Sequence, residues 1–202
     1  MTERAPQSAG NKPLLVFKVG ILGCVPLDMP ARLAEEFDMK FVSSEEVHKQ
    51  IVEQGLADGL PVEKATKFSS NRQRRILVSQ ATEHLTGGHD VMMDVFYNKQ
   101  NTRRVPLDLC ERMGAASIAL TFDVSLDQAM KRVQQWTEDG EFKLPVSYWR
   151  VPPYQATLAS RKHLEWPSQE GIDYVFRMNG GNDTDDLLDQ FERHMRWADL
   201  AD

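Results

Sequence analysis

With 202 residues, 41% of them hydrophobic, the chain is long enough for one domain with a substantial core and too short to suggest two. A formal net charge of -6 argues against a broad nucleic-acid or membrane-binding face, so any partner is expected at a local site. Cys24 and Cys110 form neither a disulfide framework nor a metal spacing, and no apolar run nears the roughly 18 residues of a membrane span, so a cytoplasmic location is expected.

In chain order, Met1–Lys12 is polar, carries Pro6 and Gly10, and lacks the apolar stretch of a signal peptide. It reads as a disordered tail (1–12) ahead of a single domain (13–202). Leu14–Gly20 is a short apolar run ended by glycine, as in a buried parallel strand, with Lys18 its one awkward member. After the loop at 20–28, Pro30 opens a helix to Phe37 and Met39–Val42 reads as a second strand, completing a βαβ unit. Ser43 and Glu46 are spaced as a capping box for a helix to about Gln54.

Gly55–Ser70, with Gly55, Gly59 and Pro61, reads as a connection able to cover a site. Asn71 starts a helix bearing Ile76, Leu77, Ala81 and Leu85, stopped by Gly87-Gly88. His89–Val95 is a strand. Asn98–Met113 is helical, with a kink or restart expected at Pro106. Ala116–Val124 is a strand, Ser125 and Gln128 start a helix striped by Leu126, Met130 and Val133, and Glu138–Pro145 reads as a mobile polar loop. Residues 146–164 read as partly helical around Pro152-Pro153, Ile172–Met178 as the last strand, Gly180-Gly181 as a turn and Thr184–Leu200 as an amphipathic closing helix. Such alternation implies an α/β fold, a parallel five-stranded sheet with helices on both faces and a ligand site beyond the carboxyl ends of its strands.

The loop Gly20-Ile-Leu-Gly-Cys-Val-Pro-Leu-Asp28 sits where a phosphate-binding loop belongs. A working G-x-x-x-x-G-K-[ST] loop wraps phosphate with backbone N–H groups, neutralises it with lysine and holds magnesium with a hydroxyl. Gly20 matches the first glycine, but Val25, Pro26 and Leu27 stand at the glycine, lysine and hydroxyl positions. Pro26 also removes a donor, and Asp28 adds a carboxylate at a helix end that would otherwise hold an anion and is placed to cap that end internally. Little ATP or magnesium binding is therefore expected. The five histidines show no zinc-like pairing, so no metal site is expected, and no G-x-S-x-G element is present.

Five threads carry a resemblance over about residues 14–178: Gly20-x-x-Gly23, Ser43-Ser44-Glu45-Glu46-Val47-His48, Gly88-His-Asp-Val-Met-Met-Asp94 with Arg103-Arg104, Leu126-Asp-Gln-Ala-Met-Lys-Arg132, and Glu170-Gly-Ile-Asp173. In their order and spacing the chain resembles the P-loop kinases related to polynucleotide kinase and zeta toxin, with a degenerate Walker A loop and a small lid at about 136–166. The resemblance implies Gly20, Gly23, Arg103, Arg104 and Arg132 as phosphate- or substrate-binding candidates. It implies Glu45, where the family carries a base aspartate, and Asp94, a magnesium- or substrate-organising acid, as catalytic candidates. Each also has a structural alternative: Glu45 a first-turn helix acid, Asp94 a strand-end cap, the arginines a solvated helix face. Trp136 stands where a second lid arginine is expected, and Trp136, Tyr148, Trp149, Tyr154 and Trp166 make that segment aromatic, as lid packing or as a stacking or partner surface. Two functions follow as expectations. One is an impaired kinase homologue, a pseudokinase acting as a binding or assembly subunit for a protein partner or nucleotide-like ligand. The other is an active ATP- and magnesium-dependent kinase acting on a nucleic-acid 5′ end, nucleotide or small hydroxyl compound through a non-standard phosphate site.

Overall fold

Strand formers alternate their faces along the first strand, β1 (Leu14–Val19): Leu15, Phe17 and Val19 turn to one side of the sheet and Val16 to the other, all fully buried. The computed structural model describes residues 12–67, 69–142, 151–168, 170–179 and 183–199. After β1 come α1 (Met29–Glu36), β2 (Lys40–Ser43), α2 (Ser44–Ala57), α3 (Val62–Lys67), α4 (Ser69–Thr86) and β3 (Val91–Phe96). The order continues with α5 (Gln100–Met113), β4 (Ala116–Asp123), α6 (Leu126–Asp139), α7 (Pro153–Lys162), β5 (Tyr174–Asn179) and α8 (Thr184–Asp199). The strands form one sheet in the order β2-β3-β1-β4-β5, every pair parallel.

The two faces have separate cores. Val16, Met92, Ile118, Leu120 and Phe176 pack against α1 and α8 through Met29, Leu33, Leu187 and Phe191. Leu15, Phe17, Val42 and Met93 pack against α2, α4 and α5 through Ile51, Leu77, Ala81 and Leu109. Placing β1 centrally, with β3 on one side and β4 on the other, opens a crevice above its carboxyl end where the connections diverge.

The five expected strands are present with small shifts at their ends. β2 runs one residue further than expected, so that Ser43 ends the strand and also caps α2, its Oγ accepting from Glu46 N at 3.3 Å. Ser125 and Gln128 form the reciprocal cap of α6, Gln128 N donating to Ser125 Oγ at 3.2 Å.

Several expectations are corrected. The connection at 55–70 contains the end of α2, α3 and the start of α4; Ala65 is buried close against Gly55 of α2, which gives this short helix a packed side that its polar sequence conceals. Pro106 neither restarts nor ends α5. It removes one N–H in a helix otherwise held by buried Leu109 and Cys110, and its own ring is buried. Residues 138 and 139 belong to α6, which ends on Gly140 in the left-handed conformation, so the expected polar loop starts later. Within 146–164, α7 occupies Pro153–Lys162. The tail at 1–11, the remainder of the polar loop at 143–145, residues 146–150 with two of the aromatic candidates, and the turn at 180–181 lie outside the described residues. Among the described residues no helix is long and apolar enough to cross a membrane.

Candidate functional site

The loop leaving β1 turns immediately, with Cys24 N donating to Ile21 O at 3.0 Å and Gly23 held at φ +88°. A Cβ at Gly23 would lie 2.3 Å from the Ala129 carbonyl oxygen, so only glycine lets the loop press this closely on α6. That approach puts Arg132 of α6 in reach of the loop backbone, and its Nη1 donates to Gly23 O at 2.9 Å. Leu22 and Leu27 pack against Val133, Trp136 and Phe142, and the last two rings meet edge-on with centroids 6.0 Å apart. Val25 is buried in the core shared with α1. The loop is thus fastened to α6 by its own apolar side chains and by an arginine bound to its backbone.

Asp28 does not cap α1 with its side chain. Its backbone is already in the right-handed helical region, and a capping side chain needs an extended one to reach back to the first N–H groups. Its Oδ1 instead accepts from Thr184 Oγ1 at 2.9 Å, tying the start of α1 to that of α8. Cys24 is no nucleophile here. It is completely buried, and burial pushes its thiol pKa up to about 12.

In front of the loop lies a cleft of about 740 Å³. Its floor is Lys18, only 5% exposed and ion-paired with Asp94, with its ammonium 4.1 Å from the centroid of the Phe96 ring. The parallel register sets Ser43 of β2 beside Asp94 of β3, and Ser44 Oγ donates to Asp94 O at 2.8 Å, so the end of β2 and the start of α2 are fixed against the floor. Glu45 lines the cleft from the first turn of α2, Trp136 and Phe142 close it from the α6 side, and Ala156 and Ser160 of α7 bound it further out.

The structure therefore brings together Gly23, Glu45 and Asp94 at the cleft, with Arg132 behind it on Gly23. Gly20 lies at the root of the loop, where its N–H donates to Asn98 Oδ1 at 3.0 Å. Arg104 is exposed on α5 and is not among the cleft-lining residues. Arg103 is the clear correction. It is fully buried away from the lining, its Nε and Nη2 each donating to Glu170 at 2.6 Å while Nη1 donates to Tyr97 O at 3.1 Å and Glu165 O at 2.7 Å. The physical reason is desolvation: a guanidinium at zero exposure must satisfy its donors inside the protein, and Glu170 with two carbonyls does so. Asp173, from the same thread as Glu170, accepts from Ser117 N at 2.8 Å and Ser117 Oγ at 2.7 Å, which pins the start of β4. Sequence reasoning missed Lys18 as a site residue; a lysine inside an apolar strand was the available signal.

The guanidinium of Arg103 also holds the Glu170 carboxyl below its ordinary pKa of 4.5. A carboxyl whose pKa is lower folded than unfolded supplies stability above the unfolded value and loses it as pH falls through the folded value. Denaturant midpoints measured from pH 6 downward should therefore fall below about pH 4.5, more steeply for the native chain than for Glu170→Gln. Equal slopes would contradict the pairing.

A family model described as an AAA domain matches residues 29–150. No curated protein matches the chain. Among solved structures, a protein of Chloroflexus aurantiacus provisionally named a kinase superposes with a TM-score of 0.69 at 12% identity, over 91% of this chain and 99% of its own. A gluconokinase from Sinorhizobium meliloti gives 0.56 at 14%, over 95% and 99%. The APS kinase of Mycobacterium tuberculosis, in complex with AMPPNP and APS, gives 0.55 at 14%, over 92% and 99%. At these identities the likeness is one of fold, the fold of P-loop kinases.

Proposed function

The chain belongs to the AAA domain family, and on that premise we propose that it is a catalytically impaired kinase homologue working as a binding or assembly module, with a degenerate Walker A loop. The relation to polynucleotide kinase and zeta toxin is part of the same proposal. The observation that carries it is the packing of Leu22 and Leu27 on Val133, Trp136 and Phe142, with Arg132 bonded to the Gly23 carbonyl. Phosphoryl transfer depends on positioning and charge neutralisation, and here the loop turns apolar groups toward α6 while Arg132 of α6 is committed to the loop backbone. The donor set does not fit a magnesium triphosphate: position 26 has neither lysine nor N–H, and position 27 has no hydroxyl. A cleft that keeps its shape and loses its transfer machinery serves recognition.

The alternative, an active kinase with a non-standard phosphate site, draws on one observation: Glu45, Asp94 and Lys18 line the same cleft. A transfer assay separates the two readings. The native chain and Pro26→Lys are each given ATP, magnesium and a panel of nucleic-acid 5′ ends and small hydroxyl acceptors. Neither is expected to turn over, because one restored lysine leaves Val25, Leu27 and Trp136 in place and groups that act as a unit are far from additive. Turnover of about 1 per second or more, the low end for kinases, would contradict the proposal.

A further inference from the structure

The charge of this chain is unevenly spread. Its net charge is -6, yet residues 62–75, which run through α3 into the first turns of α4, carry Lys64, Lys67, Arg72, Arg74 and Arg75 against Glu63 alone. Gln73 donates through Nε2 to Ser44 O at 2.6 Å, and Leu77 and Ala81, one and two turns further on, are buried in the core. That row fixes the rotation of α4, so Arg72 and Arg75 are turned away from the core side; Arg74 is exposed beside them, and Lys64 is exposed on α3. Among the described residues none of these four cations is held in an ion pair. Acids of the neighbouring α2 have partners of their own: Glu53 faces Lys49 at 3.9 Å, and at the end of the helix Asp58 accepts from Gln54 at 2.9 Å. The next acid along α4 is Glu83, and α5, packed beside α4, carries exposed Arg104 near its start. The head of α4 is thus a cationic face on an acidic molecule.

Resting on the reading of the chain as a binding module and extending it, we propose that this face docks a short acidic segment of a protein partner. Its carboxylates accept from the guanidinium groups of Arg72, Arg74 and Arg75. Arginine suits that occupant, because its planar fork meets a carboxylate through two parallel N–H···O bonds. The charge of the rest of the chain selects against a longer polyanion. A polynucleotide running past the cluster meets the remaining surface of a chain with net charge -6, whereas a peptide with a few acidic residues ends where the cluster ends. Among the described residues the exposed aromatic rings, Tyr154, Trp166 and Trp197, lie on α7, on the connection to β5 and on α8, so none stands at the cluster to stack a base.

The test uses the full chain and three fluorescein-labelled probes of equal length, read by anisotropy: a deca-glutamate peptide, a deca-glutamine peptide and a ten-nucleotide oligouridylate. At low salt the deca-glutamate should bind saturably and at least about tenfold more tightly than the oligouridylate, with the deca-glutamine silent and the affinity falling as added salt screens the charges. Arg72→Gln combined with Arg75→Gln should weaken peptide binding by about fivefold or more, and Arg72→Glu combined with Arg75→Glu should abolish it. Lys40→Gln combined with Arg193→Gln removes the same charge from exposed sites on β2 and α8, and should change the affinity by less than about twofold. Circular dichroism of each variant establishes that it is folded.

No binding of the deca-glutamate, oligouridylate bound as tightly as the peptide, or equal losses in the two paired glutamine variants would each overturn the inference. None of the substituted residues lines the cleft, so such a failure leaves the impaired-kinase reading in place. Turnover in the transfer assay would overturn that reading without touching peptide binding.

Discussion

Arg103→Met should lower the folding stability by about 3–5 kcal/mol, the usual cost of removing one partner from a buried ion pair. Arg103 is 0% exposed, and the Glu170 side chain that it grips is 5% exposed, so the substitution strands a carboxylate in a dry site and leaves the carbonyls of Tyr97 and Glu165 without their donor. The contact joins α5 to Glu165 and Glu170 in the connection between α7 and β5, so α7, which bounds the outer cleft, loses an anchor on its C-terminal side. Denaturant titration of the native chain, Arg103→Met, and Arg103→Met with Glu170→Leu checks this. The double variant should recover a good part of the loss, because replacing both charges with apolar groups removes the stranded carboxylate. A single-variant loss under about 1 kcal/mol would mean that the pair is solvated in solution.

The second large effect is expected at Gly23. Gly23→Ala forces a Cβ to 2.3 Å from the Ala129 carbonyl oxygen and 2.9 Å from Val133 Cγ2, at φ +88°. A backbone carbonyl in a helix cannot swing aside, so the loop must lift from α6. That breaks the Arg132 bond to Gly23 O and loosens Leu22 and Leu27 from Trp136. Conformational strain and overpacking together should cost about 2–4 kcal/mol. Gly59→Ala is the matched control: its φ is +80°, but nothing lies within 4 Å of the added Cβ, so only the conformational part, about 1 kcal/mol, is expected. Equal losses at the two glycines would show that contact with α6 contributes nothing.

The strands of this fold were legible because parallel strands buried on both faces need continuous apolar runs, and Leu14–Val19 and Ala116–Asp123 have them. The caps at Ser43 and Ser125 were legible for the same kind of reason, since a hydroxyl three residues from its partner satisfies orphan N–H groups by local geometry alone. Helix α3 was not, because its sequence Val-Glu-Lys-Ala-Thr-Lys carries too little apolar periodicity and its burial comes from α2 and α4. At the site, the resemblance pointed to Glu45 just after β2 and to Asp94 near the end of β3 but could not say which arginines face solvent, ligand or core. Arg103 and Arg104 are neighbours in sequence, and a helix points them about 100° apart, one into a buried carboxylate and one into water. Lys18 shows the same limit: a charge in a strand signals something unusual, and only the tertiary approach of Asp94 and Phe96 says what it meets.

We propose that loop 20–28 is closed to triphosphate by its own side chains, and isothermal calorimetry of the native chain with ATP and magnesium is the decisive test. The expected result is no saturable heat into the millimolar range, because Pro26 and Leu27 give phosphate and magnesium no partners and Leu22 and Leu27 are held on Trp136. A saturable one-to-one isotherm with a low-micromolar dissociation constant would contradict it.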